Sequence, residues 1–171
     1  HLSTHPELGR LYALISAYIG APVDHLLVGA GTDLCIHAAF DAFVSPGDCV
    51  VVPSPTFLMY EIYGKASGAH VRNVNYDSDL TLSVDNICAA IRDDVALVCL
   101  PNPGSPIGSA LSVDDIEKVV VRAEAHNVPV LVDEAYYPFY PKSCVELVKR
   151  YSNLIVTRTF SKAAGLAGAR I

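Results

Sequence analysis

The sequence predicts a single α/β domain built as three layers (α/β/α), with helices on both faces of a mostly parallel sheet. The chain has 171 residues, of which 51% are hydrophobic and only 18% are charged, so it can bury a substantial core. Four apolar runs lack the polar alternation of a half-exposed strand, and helical patterns separate them, which indicates parallel strands covered on both faces. These runs lie at residues 49–52, 95–100, 128–132 and 154–156.

The first half of the chain alternates between two patterns. Apolar residues at helical spacing predict helices, and short apolar runs bounded by glycine, proline or polar residues predict strands. The expected helices span residues 8–18, 34–44 and about 58–67. The expected strands span residues 25–28, 49–52 and 70–74. A Ser-Pro-Gly-Asp turn at 45–48 ends the second helix and leads into the second strand.

In the second half, serine residues mark two helix starts. Ser83 and Ser112 each precede a helical pattern and can accept hydrogen bonds from its free N–H groups, and Asp115 stands at the capping-box position after Ser112. The helices expected here span residues 84–92, 113–126 and 143–150. The strands expected here span residues 95–100, 128–132 and 154–157. Open parallel sheets bind ligands at the carboxyl ends of their strands, so we expect the functional residues in the following loops.

Composition argues against several kinds of function for this segment. The formal net charge is −6 and no lysine or arginine cluster is present, which disfavours binding to nucleic acid through its phosphates. No apolar stretch approaches the roughly 18 residues of a membrane helix, and the segment that begins at His1 is polar, so we expect that it is not a signal peptide. Five cysteines without a C-x-x-C pair and six histidines without metal spacing predict buried free thiols in a cytoplasmic protein and no metal site.

The strongest chemical pattern lies between Thr157 and Arg170. A single lysine, Lys162, follows the hydroxyl of Thr159 and precedes Arg170, among small glycine and alanine residues that let a bulky anion approach the backbone. A lysine that attacks an aldehyde has to be neutral, and desolvation beside a cation favours its neutral form. The hydroxyl and the guanidinium could then hold a phosphate. This combination predicts covalent attachment of pyridoxal 5'-phosphate (PLP) through Lys162.

The same segment resembles the S/T-x-x-K-x-x-x-L-x-G-x-R signature of the fold-type I PLP enzymes. The resemblance is to the class I/II aminotransferases, in particular to histidinol-phosphate aminotransferases and their relatives, and five elements in the family's order span residues 29–170. It implies that residues 1–171 are the PLP-binding large domain of a longer chain. Because the sequence begins with His1 rather than methionine and ends at Ile171, just inside a motif, we expect the small domain to lie outside it.

The resemblance implies roles for two further motifs. In the D-E-A-Y run at 133–136, Asp133 would pair with the pyridine nitrogen and keep it protonated, which makes the ring an electron sink. Tyr136 would bind the phenolic oxygen of the cofactor. The phosphate would lie in a cup formed by Gly31, Thr32 and Asp33, where a helix start offers free N–H groups and a positive dipole end.

The remaining implied contacts surround the same cofactor. Thr159, Ser161 and Arg170 would complete the phosphate site, and Phe57 would stack on the pyridine ring. Lys162 would hold PLP as a Schiff base and then move a proton between the substrate's α-carbon and the cofactor. Each of these positions also has an ordinary explanation as a capping, turn or packing residue. Glu134 is expected to be structural and to face away from the cofactor.

The loop at 102–108 departs from the family's N-P-x-N-P-T-G pattern. Asn102 matches the first, structural asparagine of the pattern and is also assigned to the cofactor site. The second asparagine, which binds the phenolic oxygen in the family, is replaced by Ser105, and Ile107 replaces the threonine. Serine is shorter than asparagine, so the contact with the phenolic oxygen stays open. The electronics of the ring depend on this contact, and the reaction that the protein catalyses depends on them.

The favoured interpretation is an aminotransferase that moves an amino group between an amino acid, or an amino phosphate, and a 2-oxo acid. Two alternatives stay open: a PLP-dependent decarboxylase of an amino acid or its phosphate on the same scaffold, and a non-catalytic, aminotransferase-like sensor domain of a transcription regulator. The resemblance also implies a homodimer. The amino donor and acceptor are not specified by the sequence.

Overall fold

The computed structural model describes residues 6–171, so His1 and His5 lie outside the described residues. The helices are α1 (Pro6–Ile19), α2 (Gly31–Phe43), α3 (Met59–Ala66), α4 (Val84–Ala90) and α5 (Val113–Glu124). The strands are β1 (Cys49–Ser54), β2 (His70–Asn75), β3 (Val95–Pro101), β4 (Val130–Asp133) and β5 (Leu154–Thr157). Short 3-10 turns occupy Val23–His25, Val145–Lys149 and Ala167–Ala169.

The five strands form one parallel sheet in the order β2-β1-β3-β4-β5. Parallel pairing brings the carboxyl ends of the strands to one edge. At that edge Pro101, Asp133 and Thr157 lie side by side in register, at the last positions of β3, β4 and β5. The predicted α/β fold with a parallel sheet is therefore confirmed.

Alternate strand residues build two separate cores, because successive side chains of a strand point to opposite faces. Val50, Leu97 and Leu131 pack on one face with residues of α2 and α3. Residues one position away along the same strands pack on the other face with α4 and α5. The sheet is thus covered on both faces, which explains why its strands read as uninterrupted apolar runs.

The strand predicted at 25–28 is wrong. A 3-10 turn occupies Val23–His25, and the residues that follow pair with none of the five strands. Leu27 is 72% exposed. An apolar run becomes a strand only where a neighbour supplies backbone partners, and local pattern carries no information about that neighbour. The helix predicted at 143–150 is likewise a 3-10 turn, at Val145–Lys149.

Both predicted serine caps are present. Asp115 N donates to Ser112 Oγ at 3.1 Å, and the same hydroxyl donates to Asp115 Oδ2 at 2.7 Å, which closes the start of α5. Asn86 N donates to Ser83 Oγ at 3.2 Å at the start of α4. These caps fix the starts of the two helices that cover the face of the sheet opposite α2 and α3.

Two further properties hold within residues 6–171. No helix there is both long and apolar enough to cross a bilayer. In the same range no three His, Cys, Asp or Glu side chains are grouped to hold a metal ion. All five cysteines are free; Cys49, Cys99 and Cys144 are buried, whereas Cys35 and Cys88 are partly exposed, so the expectation of buried thiols holds for three of them.

Candidate active site

A pocket of about 200 Å³ opens at the carboxyl edge of the sheet. Its lining includes every residue that the sequence assigned to a site except Asn102: Gly31, Thr32, Asp33, Phe57, Ser105, Asp133, Tyr136, Thr159, Ser161, Lys162 and Arg170. A larger cleft of about 670 Å³ lies beside β5, but its lining is mainly apolar and includes neither Asp133 nor Lys162. We therefore assign the chemistry to the smaller pocket.

Asp133 ends β4 and is only 7% exposed. Its Oδ1 accepts hydrogen bonds from the Thr157 hydroxyl and from Ala135 N–H, both at 3.1 Å. Its Oδ2 accepts one from the Tyr60 hydroxyl at 2.9 Å. Burial raises the pKa of Asp133, and these three donors act in the opposite direction. A cationic group in the pocket would further stabilise the charged carboxylate.

Arg170 closes the pocket against the start of α2. Its Nη2 lies 2.8 Å from the place where a Cβ of Gly31 would stand, and Gly31 has a φ of +80°, a backbone conformation in which a residue with a side chain is strained. The guanidinium donates to Ala167 O at 3.1 Å and to Ala30 O at 3.2 Å, which leaves further N–H donors available. This arrangement holds a positive charge beside a helix start.

Thr32 adds an unsatisfied polar atom to the same region. Its Oγ1 is buried and has no hydrogen-bond partner among the described residues. A buried hydroxyl without a partner calls for an explanation, and a ligand that binds in the pocket would provide one. An oxygen-rich anion at the start of α2 would supply an acceptor to Thr32 and to Arg170 together.

Asp33 lines the pocket, but its carboxylate is already engaged. Its Oδ1 accepts a hydrogen bond from the Tyr63 hydroxyl at 2.9 Å, and the Tyr63 ring stacks on His37 at 4.6 Å between centroids. Burial and the bond to Asp33 raise the pKa of Tyr63 to about 12. Since a carboxylate repels an anion, the contribution of Asp33 to the predicted cup is restricted to its free N–H in the first turn of α2.

Thr159 and Ser161 line the pocket, and their hydroxyls share one small turn. The two oxygens lie 3.0 Å apart, and Ser161 N donates to Thr159 Oγ1 at 3.1 Å. Thr159 Oγ1 also donates to Ile171 O at 2.9 Å. The Thr159 side chain therefore ties this turn to the end of the described chain, and its role as a phosphate ligand stays a prediction.

Lys162 reaches the same pocket from the loop after β5. Its Nζ lies 5.7 Å from the centre of the Tyr136 ring, within the range of a cation–π contact. The sequence pattern predicted a desolvated amine at Lys162, but among the described residues Lys162 is exposed. Phe57, 40% exposed, also lines the pocket and meets the Tyr60 ring edge-on at 5.8 Å between centroids.

Asn102 is the predicted site residue that the structure places outside the pocket. Its side chain is bound on both sides by Leu111: Leu111 N donates to Oδ1 at 2.8 Å, and Nδ2 donates to Leu111 O at 3.2 Å. Both ends of its amide hold the loop closed, so the structure gives Asn102 a structural role, and its assignment to cofactor binding stays a prediction. Ser105 lies within that loop and does line the pocket.

We expect Asn102→Ala to lower the free energy of unfolding by about 1–3 kcal/mol, since the Leu111 N–H loses its acceptor and the Leu111 carbonyl keeps only the Tyr140 hydroxyl at 3.5 Å. The measurement is urea unfolding of the complete gene product. Asn86→Ala is the matched control, because its side chain is exposed, and a change within about 0.5 kcal/mol is expected. Equal losses of unfolding free energy at the two positions would show that the Asn102–Leu111 hydrogen bonds do not stabilise the loop.

Glu134 faces away from the pocket and anchors a buried polar cluster. It is 1% exposed; its Oε2 accepts hydrogen bonds from Arg158 Nε at 2.9 Å and Ser143 Oγ at 2.8 Å, and its Oε1 accepts one from Cys144 N at 2.6 Å. The Arg158 guanidinium also lies over the Tyr137 ring, 3.7 Å from its centre. We call these residues the Glu134 cluster; it holds the 134–144 segment against β5.

Sequence reasoning missed Tyr60 as part of the site. Tyr60 stands in the same Pro-Thr-Phe-Leu-Met-Tyr run as Phe57, but nothing local links it to Asp133, which lies 73 residues further along the chain. Only the packing of α3 against the sheet brings the two together. One feature of the sequence could have indicated this contact. Tyr60 is a tyrosine on a helix predicted to pack on the sheet, and a buried phenol usually has a hydrogen-bond partner.

The residues of the pocket together fit one kind of ligand. A buried carboxylate suits a cationic ring nitrogen, and Phe57 and Tyr136 offer aromatic surface for a flat ring. Arg170 and the helix start suit a phosphate. Lys162 supplies an amine within the same pocket. The donors and acceptors therefore fit a phosphorylated heteroaromatic aldehyde.

Comparison with known proteins identifies the family of this chain. The family described as "Aminotransferase class I and II" matches residues 2–171. The chain belongs to this family. The family resemblance inferred from the motifs is thereby confirmed, and so is the fold that it implied.

Similar sequences within the aminotransferase family include histidinol-phosphate aminotransferases. The one of Caldanaerobacter subterraneus subsp. tengcongensis is 39% identical, in a match that covers 100% of this chain and 49% of that protein. The one of Methanococcoides burtonii is 37% identical, with 99% and 47% covered. The chain thus spans about half the length of the curated relatives that it matches.

Solved structures of the family superpose closely on this chain. The histidinol-phosphate aminotransferase from Clostridium acetobutylicum gives a TM-score of 0.86 at 26% identity, with 99% of this chain and 51% of that chain covered. The enzyme of the same name from Sinorhizobium meliloti, solved in complex with pyridoxal-5'-phosphate, gives 0.83 at 29% identity, with 96% and 45% covered.

Proposed function

We propose that the complete protein is a PLP-dependent aminotransferase that moves an amino group between an amino acid, or an amino phosphate, and a 2-oxo acid. The observation that carries this proposal is that Asp133, Lys162 and the Gly31–Arg170 contact lie around one pocket although they are distant in sequence. When bound, PLP supplies an electron sink that makes the α-carbon proton of an amino acid acidic.

The residues of this chain supply attachment, orientation and proton transfer. Arg170, Thr32 and the N–H groups at the start of α2 hold the phosphate, which fixes the position of the ring. Asp133 would hold the ring nitrogen in its protonated form. Lys162 Nζ would be the covalent attachment point and, when free, the base for the α-carbon proton. A base held beside the reacting carbon makes that transfer an intramolecular step.

The departure at Ser105 keeps decarboxylation as a second candidate. Ser105 lines the pocket where the family pattern has asparagine, so a hydrogen bond to the phenolic oxygen of a bound cofactor would come from a shorter hydroxyl side chain. The two reactions differ in their products. A 2-oxo acid formed from the amino donor supports transamination, whereas release of CO2 without a 2-oxo acid supports decarboxylation. If neither product forms, the result favours the sensor-domain alternative.

We further propose that residues 1–171 are the PLP-binding large domain of a cytoplasmic homodimer whose small domain lies outside this segment. The chain's coverage of about half of its relatives supports the domain assignment. Five free cysteines are compatible with a reducing compartment. Sedimentation of the complete gene product tests the assembly, and an active monomer would contradict it.

The proposal is tested by locating the covalent attachment. The complete gene product is saturated with PLP, treated with borohydride and digested, and the pyridoxyl group is mapped by mass spectrometry. We expect the label on Lys162 and on no other lysine, because Lys162 lines the pocket that contains Asp133. Absence of a label, or a label that persists at another lysine after Lys162→Ala, would refute the assignment.

A further inference from the structure

Tyr60 is a fully buried side chain with one polar atom. Its ring lies in the core between the sheet and α2 and α3, with an exposed fraction of 0%. Its hydroxyl donates to Asp133 Oδ2 at 2.9 Å. Burial, and then the charge of Asp133, raise the pKa of Tyr60 well above its usual value, so the hydroxyl keeps its proton and remains a donor.

The three donors to Asp133 are unequally divided between its oxygens. A carboxylate offers about four acceptor positions, two on each oxygen. Oδ1 receives both the Thr157 hydroxyl and the Ala135 N–H, whereas Oδ2 receives only Tyr60. The open acceptor position therefore belongs to Oδ2. Because the donors come from α3, from β5 and from the loop after β4, the plane of the carboxylate is fixed from three directions.

We propose that Tyr60 is a positioning residue: by holding Oδ2 of Asp133, it directs that oxygen's remaining lone pair toward the protonated ring nitrogen of the cofactor. This inference rests on the proposed function, since it requires PLP in the pocket. The Tyr60 ring also supports Phe57, which meets it edge-on at the side of the pocket. One buried side chain thus positions both the Asp133 carboxylate and the Phe57 ring.

The test separates positioning from packing by pairing one substitution with two cofactors. Tyr60→Phe in the complete gene product keeps the ring and removes only the hydroxyl. Dissociation constants are measured by titration for PLP and for 1-deaza-PLP, in which carbon replaces the ring nitrogen. We expect binding of PLP to weaken about tenfold, as for loss of a hydrogen bond to a charged group, and binding of the deaza analogue to stay unchanged.

Tyr151→Phe is the matched control. Its hydroxyl also donates to a carboxylate, Glu117 Oε1 at 2.6 Å, but it does not line the pocket. This variant should bind both ligands as the unsubstituted protein does. Equal weakening of both ligands by Tyr60→Phe would assign Tyr60 to packing alone, and an unchanged PLP affinity would overturn the proposal. If the unsubstituted protein fails to bind PLP at all, the proposed function is what fails.

A second variant tests the same geometry without altering Tyr60, so it serves even where Tyr60→Phe does not fold. Thr157→Val removes one of the two donors on Oδ1 and leaves the Ala135 N–H in place. We expect the preference for PLP over 1-deaza-PLP to fall by much less than the tenfold change expected for Tyr60→Phe. A loss of tenfold or more would place the critical oxygen at Oδ1 and contradict the assignment.

Discussion

Replacing Lys162 by alanine should lower kcat of the complete gene product by about 10²–10⁴-fold, the usual contribution of a positioned acid–base group. The lysine is exposed and forms no ion pair with the described residues, so its removal should change the free energy of unfolding by less than about 0.5 kcal/mol. The measurement is the rate of 2-oxo acid formation at saturating amino donor and PLP, with thermal unfolding recorded in parallel.

The control for this result is Lys142→Ala. Lys142 is another exposed lysine, and it does not line the pocket, so the rate should be unchanged. A Lys162→Ala protein that is folded and turns over at the original rate would mean that another group moves the proton. The pocket would then bind the cofactor without the lysine serving as its base.

The second large effect is expected on stability rather than on rate. Glu134→Ala should lower the free energy of unfolding by about 3–5 kcal/mol, because it leaves the Arg158 guanidinium largely buried without its carboxylate. The side chain of Arg158 is 15% exposed and that of Glu134 only 1%. Ser143 Oγ and Cys144 N lose an acceptor at the same time. The quantity is measured by urea unfolding of the complete gene product.

Glu146→Ala provides the matched comparison. Glu146 pairs with Lys149 at 2.7 Å, but the two side chains are 73% and 45% exposed, so a loss of about 0–1 kcal/mol is expected. The pair of substitutions Glu134→Leu and Arg158→Met should recover most of the loss, since an apolar pair of similar volume replaces a buried ion pair. A Glu134→Ala protein no less stable than Glu146→Ala would contradict this account of the Glu134 cluster.

The parts of the site that the sequence predicted share one physical origin. Asp133 follows a continuous apolar run, and Lys162 follows another; parallel strands bring the ends of such runs to one edge of the sheet. Their proximity therefore follows from the fold class alone. Gly31 was predicted from the glycine-rich helix start at 29–33, and the structure gives it a φ of +80° at the first position of α2.

The parts that were missed depend on contacts that no local pattern records. Asn102 was assigned to the cofactor by its place in a motif, but its amide is occupied by Leu111 on the far side of the loop. Tyr60 reaches Asp133 only through the packing of α3 on the sheet. The strand expected at 25–28 had the right composition and lacks a neighbour within the described sheet.

The side-by-side register of Pro101, Asp133 and Thr157 also predicts where this chain tolerates insertions. Adding one residue inside β4 would turn the Asp133 side chain to the opposite face of the sheet, toward α4 and α5, because side chains alternate along a strand. The same addition in the exposed turn at 77–80 would leave every strand end where it is. Evolutionary and engineered length changes should therefore accumulate between β2 and α4 and be excluded from β4.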